Sequence, residues 1–156
     1  VNYPVQRVRY RRRDSRFLND VGARHAVPLQ KEFNQMKTEH FWAAIDKLVS
    51  ESRIVIDRPK GSQHPDFLSI VYPVAYGYLS GTTSMDGNGI DVWVGSAFSR
   101  TVGAIMCTID LLKKDSEMKI LLGCTPEEKA LIYEFHNKSE NMKRALDYER
   151  VSVPSP

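Results

Sequence analysis

An apolar stripe at helical spacing near residue 41, several short strand-like runs with acids at their ends, and a capped helix start at Thr125 predict an α+β, mainly β fold. The form expected is a small OB-like β-barrel of short strands, with an N-terminal and a C-terminal flanking helix. At 156 residues and 42% hydrophobic content, the sequence suits one domain with a buried core.

Charge divides the chain. Residues 1–35 hold 8 Lys+Arg against 3 Asp+Glu, a net +5, whereas the remaining 121 hold 14 against 16, a net −2. Arg7, Arg9, Arg11, Arg12, Arg13 and Arg16 crowd together with Pro4 and Pro28, and neither hydrophobic period is sustained there. This stretch is expected to be a disordered or non-native extension, with the chain's start at Met36. Residues 36–150 then form the barrel domain and 151–156 a frayed tail. A basic arm for nucleic acid is the competing reading of the first stretch. The net −2 of the remainder argues against broad contact with a phosphate backbone.

No apolar run reaches the roughly 18 residues of a membrane span. The first 35 residues lack the apolar centre of a secretory leader. Cys107 and Cys124 are too few for a disulfide framework and have no metal-ligand spacing. A cytoplasmic setting with reduced thiols is expected.

From Thr38, which can cap it, a helix places Phe41, Ile45, Leu48 and Val49 on one stripe and ends at Ser50-Glu51-Ser52. Arg53–Asp57 is a strand rich in branched residues. Arg58-Pro-Lys-Gly-Ser-Gln-His-Pro65 is a loop, in which Arg58 and Lys60 can reach a phosphate or simply face solvent. It is not a P-loop. His64, before Pro65, reads as a turn residue.

Next comes Tyr72-Pro-Val-Ala-Tyr-Gly-Tyr78, followed by the glycine-rich acidic loop Asp86-Gly-Asn-Gly-Ile-Asp91. Asp86, Asn88 and Asp91 put three oxygen-bearing side chains within six positions, a donor set suited to a hard cation such as magnesium. In Ile90–Val94, alternation sets Asp91 and Trp93 opposite Ile90, Val92 and Val94. An acid in so apolar a strand needs a partner or a metal. Val102–Ile109 is a strand ending at Asp110. In Glu117–Leu122, Glu117 and Lys119 share one face, and Met118, Ile120 and Leu122 the other. Thr125-Pro-Glu-Glu128 is a capping box opening a helix whose apolar face is expected to run through Leu131, Phe135 and Met142 to about Leu146.

Taken together, the tyrosine motif and the acidic loop resemble the soluble, magnesium-dependent inorganic pyrophosphatases of family I, whose pattern is Y-P-x-N-Y-G-Y and then D-G-D-P-x-D-x-x-V. The resemblance spans about Ile54 to Lys138. It implies an enzyme that hydrolyses inorganic diphosphate to two phosphates with metal-activated water and Mg2+ as cofactor. It implies Asp57, Asp86, Asp91, Asp110 and Glu117 as metal ligands. Arg58, Lys60, Tyr76, Lys119 and Lys138 are implied as substrate-binding residues, and Asn88, Asp91 and Tyr76 as catalytic positions. The partner implied is a small-molecule diphosphate, with no membrane or nucleic acid, and a homo-oligomer is left open.

This sequence also departs from the pattern. Asn88 stands where the family has the water-activating aspartate, and asparagine cannot take a proton. Ala75 replaces an asparagine, Asn137 a tyrosine, and the hairpin before the tyrosines is short. The alternative function is therefore a catalytically weak relative that binds phosphate or nucleotide, or a hydrolase of another phosphoanhydride.

Overall fold

The computed structural model describes residues 23–138 and 144–150, with side chains described in 34–138 and 145–150. Two units divide the chain, residues 1–39 and 40–156. The element order is α1 (Ala23–Glu51), β1 (Arg53–Arg58), β2 (Ala75–Ser80), β3 (Ile90–Val94), β4 (Val102–Asp110), β5 (Asp115–Leu122), α2 (Pro126–Asn137) and β6 (Arg144–Glu149).

The described part of the first unit is helical. Thr38 is an interior position of α1 and not its cap: its Oγ1 donates to the Asn34 carbonyl one turn back, at 2.8 Å. The basic stretch around Arg7 to Arg16 lies outside the described residues.

In the second unit, α1 buries Trp42 and Ile45, with Leu48 and Val49 packed beside them. Phe41, expected on this stripe, is exposed. Adjacent helical residues point about 100° apart, so the larger apolar surface of Trp42 sets the phase. Arg150 fastens this end of the helix. Its guanidinium makes a two-pronged pair with Asp46 at 2.8 Å on each arm and lies 5.5 Å from the Trp42 ring centre.

Six strands form one mixed sheet in the order β1-β2-β3-β5-β4-β6. All described pairings are antiparallel except β3 with β5, which is parallel. The mainly β, α+β class and the two flanking helices agree with expectation. Closure into a barrel does not: the sheet is open, with β1 and β6 as its edges. Edge pairing joins residues distant in sequence, and no alternation pattern encodes it.

Both faces of the central strands are covered. Val92, Val94, Ile105, Ile120 and Leu122 pack on Trp42 and Ile45 of α1. Trp93, Ala104, Met106 and Leu121 pack on Ile132 of α2 and on Tyr72, Val74 and Ala145. Burial on both sides is why Val92–Val94 of β3 and Ile120–Leu122 of β5 are apolar at every position.

The second helix begins as expected. Thr125 and Glu128 close a reciprocal capping box, with Pro126 in the first turn. It ends earlier than the apolar spacing suggested. Asn137 turns its amide onto the next segment: Oδ1 accepts from Ala145 N at 3.1 Å, and Nδ2 donates to Ala145 O at 3.4 Å. Leu146 therefore lies on β6, paired opposite Cys107 of β4, and not on a helix. Met142 lies outside the described residues.

Candidate functional site

The sheet face toward α2 carries the candidate chemistry. Three strands bring it together through their register. Tyr76 on β2 is opposite Trp93 on β3, Tyr78 is opposite Asp91, and Asp91 is opposite Lys119 on β5. Two residues along β5, Glu117 shares the face of Lys119 because strand side chains alternate. Residues 28 and 43 positions away from Lys119 thus converge on its side chain.

The Lys119 ammonium is the centre of the cluster. It donates to Glu117 Oε2 at 2.7 Å, to the Tyr76 hydroxyl at 3.0 Å, and to Asp91 Oδ2. Its side chain is only 1% exposed, against 5% for Glu117 and 26% for Asp91. Such charge-assisted bonds are stronger than neutral ones, and a buried ammonium needs them to offset lost hydration. Two acids to one base leave a formal charge of −1 in the cluster. Asp91 is its route to solvent.

Tyr76 is bound from several sides. Its ring packs 4.6 Å from Trp93 and 5.5 Å from Tyr72, centre to centre. Burial pushes its hydroxyl well above the usual phenol range, and the charge of Asp91, a hydrogen bond to it and the charge of Glu117 push it further. Tyr76 therefore stays a neutral phenol, fit to give or accept a hydrogen bond and unfit to act as a phenolate base.

Tyr72, not among the expected site residues, stacks beside Tyr76. Burial raises its hydroxyl's pKa, while the Arg58 guanidinium and a hydrogen bond with it pull the other way. Arg58 reaches this position from β1, opposite Tyr76, where the strand carries an irregularity between Ile56 and Arg58. His64 stacks on the far side of Tyr72, with ring centres 6.2 Å apart and an interplanar angle of 10°. Its Nδ1 accepts from Asp66 N at 3.1 Å, so it is a turn residue with an aromatic contact. A hydroxyl that wants a partner was legible in Tyr72; which cation would supply it was not.

Several expected site residues are engaged elsewhere. Asp57 pairs with its neighbour Arg58 at 2.9 Å. Asp110 Oδ1 accepts from Leu112 N and Lys113 N, each at 2.9 Å, and so shapes the turn into β5. Both oxygens of Asp86 accept from Asn88, Oδ1 from its backbone at 3.0 Å and Oδ2 from its side chain at 2.9 Å. The Asn88 amide holds the Asp86 carboxyl below the usual range, and the charge of Glu117 is also felt there. Lys138 pairs with Glu134 one helical turn away at 2.5 Å and is 73% exposed. Lys60 is exposed, and its charge is felt at Glu128.

Among chains of known structure, this fold is similar to several inorganic pyrophosphatases. That from Neisseria gonorrhoeae has a TM-score of 0.48 and 17% identity, over 58% of this chain and 77% of the other. That from Coxiella burnetii has a TM-score of 0.45 and 17% identity, over 62% and 82%. That from Helicobacter pylori has a TM-score of 0.43 and 15% identity, over 62% and 81%. The sequence matches no protein-family model and no curated protein.

The donor set suits a hard cation in part. Asp91 and Glu117 bring two carboxylates to one point. Magnesium is commonly held through one or two carboxylates, with water and substrate oxygens completing its shell. Asp57, Asp86 and Asp110 do not complete a larger cage: among the described residues, no group of three or more His, Cys, Asp or Glu is arranged to hold a metal ion. No helix among them is long and apolar enough to cross a membrane.

Proposed function

We propose that this chain hydrolyses inorganic diphosphate to two phosphates in a magnesium-dependent reaction. The observation that carries this reading is the meeting of Tyr76, Asp91, Glu117 and Lys119 around one buried ammonium. These four come from three strands, and each was singled out in the sequence for a metal or phosphate role.

The chemistry asked of the residues is positioning and charge neutralisation. Asp91 and Glu117 would hold the cation, which when bound polarises phosphate oxygens and lowers the pKa of water. Tyr76, kept neutral by burial, offers its hydroxyl to a phosphate oxygen. Arg58, placed at the Tyr72 hydroxyl, supplies a planar fork suited to phosphate. Lys60 would add a positive charge from the loop after β1. No described contact brings Lys138 to this face.

Phosphate release from diphosphate by the full chain, with and without magnesium, tests the reading. Magnesium-dependent release that Asp91→Asn removes is the expected result. Equal release by both proteins would refute it.

A second reading is favoured by one observation. Asn88 spends its amide on Asp86 and has no carboxylate with which to take a proton from water. General-base help is worth roughly 10²–10⁴-fold, so the chain as it stands would be a slow hydrolase or a phosphate or nucleotide binder. Equilibrium binding of phosphate and nucleotides, without turnover, would select this reading. A panel of diphosphates in the same assay separates inorganic diphosphate from other phosphoanhydrides.

A further inference from the structure

The Lys119 ammonium has three protons, and three acceptors receive them: Tyr76 Oη, Asp91 Oδ2 and Glu117 Oε2. With 1% of the side chain exposed, no donor and almost no surface remain for an anion from solvent. Lys119 as placed is therefore a counter-ion to the two acids and does not hold phosphate. The two carboxylates that it engages are also the pair a divalent cation would use.

We propose that Lys119 is a resident cation competing with a divalent metal ion for Asp91 and Glu117, so that metal entry and release of the lysine toward phosphate are one event. This rests on the reading above in giving those two acids to the metal. The electrostatics favour exchange over sharing. One ammonium leaves the two carboxylates with a net −1, whereas a divalent ion added beside it would make the same cluster +1. Like charges at contact distance in a site with little water repel strongly, and the flexible lysine stem is the part that can move. Without metal the lysine keeps the two acids together; with metal, it becomes a hand for the substrate.

Two measurements on the full chain test this. The first is amine acylation read by mass spectrometry, with Mg2+ or Mn2+ as the added ion. Lys119 is expected to resist labelling without the ion and to label about tenfold faster or more at saturating ion, because burial and hydrogen bonding no longer protect it. Continued protection of Lys119 at saturating ion, or no binding of either ion at millimolar concentration, overturns the proposal.

The second is Mn2+ binding by the wild type and by Lys119→Met, which keeps the apolar stem and removes the charge. Removing a competitor should tighten binding by about tenfold or more. It should also enlarge the gain in Tm that the ion confers, since the variant's acids have lost the Lys119 charge and the ion restores a positive one. Weaker or unchanged binding overturns the idea. The labelling result stands alone if the variant does not fold. Diphosphate hydrolysis with Lys119 still protected would sink this inference and leave the proposed function intact. Ion-dependent labelling without hydrolysis of diphosphate would do the reverse.

Discussion

Asn88 holds both oxygens of Asp86, one through its backbone N–H and one through its side-chain amide. The acidic loop is thereby closed on itself by a neutral donor. Asn88→Asp removes that donor and sets a second negative charge beside the first. The Asp86 carboxyl, now held below its usual range by the Asn88 amide, should lose that depression and move upward. Affinity for Mg2+ should rise, because two carboxylates then face one another. If the proposed function holds, phosphate release should rise with it, by roughly 100-fold or more, the range of general-base help. Carbon-detected NMR titration of the carboxyl and a phosphate-release assay check the two halves separately. A large loss of activity would give Asn88 a different, specific task.

Asp91→Asn probes the other end of the cluster. It replaces a charged acceptor of the Lys119 ammonium with a neutral amide, while Glu117 and Tyr76 stay in place. If the proposed function holds, the variant should lose roughly 100-fold or more in magnesium-dependent phosphate release, a magnitude typical of removing an electrostatic group from a reacting site. It should also unfold at lower denaturant, since a charge-assisted hydrogen bond is worth about 1.5–3 kcal/mol and Asp91 is only partly shielded from water. Denaturant titration with unchanged m-value would show that the loss is local and not a loss of compactness.

The contrast between these two residues shows how much of the site was legible. The period of two in Glu117–Leu122 placed Glu117 and Lys119 on one face, and alternation in Ile90–Val94 gave Asp91 the face of Trp93. That both faces are the same face depends on the parallel register of Asp91 against Lys119, across 28 residues, and no local pattern carries it. The strand β6 was hidden for a related reason. Leu131, Phe135, Met142 and Leu146 are spaced as a helix would space them, and only the tie between Asn137 and Ala145 shows where the helix stops. Barrel closure was inferred from a succession of short strands, yet succession does not determine whether the edges meet. On the helix stripe, Ile45, Leu48 and Val49 pack as expected, and only Phe41 was read in place of its buried aromatic neighbour Trp42.

Acid should weaken the fold through Glu128. Burial alone would raise its carboxyl, but the N–H groups of Thr125 and Ser96 more than reverse this, and the net shift is downward. A carboxyl whose folded pKa is depressed stabilises above its unfolded value, about 4.3 for glutamate. That stabilisation is lost as pH falls through the lower folded value. In Glu128→Gln the loss should already be present at neutral pH. A fall of about 1 kcal/mol is expected from the weakened cap, with a flatter dependence of Tm on pH below about 4.3. Thermal melts of the two proteins from pH 7 to pH 2 check it, and parallel curves would remove Glu128 as the cause.

The tyrosine motif also contains a position where one carbon should break the sheet. Gly77 is buried on β2, paired opposite Ile56 of the edge strand β1. A Cβ at this position would sit 1.9 Å from the Val55 carbonyl oxygen and 2.8 Å from its carbon. Both are backbone atoms, so no side-chain rotation relieves the clash, and β1 would have to move away. That movement would cost the hydrogen bonds of the β1–β2 ladder and would carry Arg58 away from Tyr72. Gly77→Ala should therefore destabilise the fold by about 3 kcal/mol or more, beyond the usual range for point substitutions. Gly81 is the control: it has positive φ, but nothing lies within 4 Å of an added Cβ. Alanine there should cost only about 1 kcal/mol, from the backbone alone. Chemical denaturation of the two variants side by side separates a steric cause from a conformational one, and equal losses would show that the close approach of β1 is not what Gly77 provides.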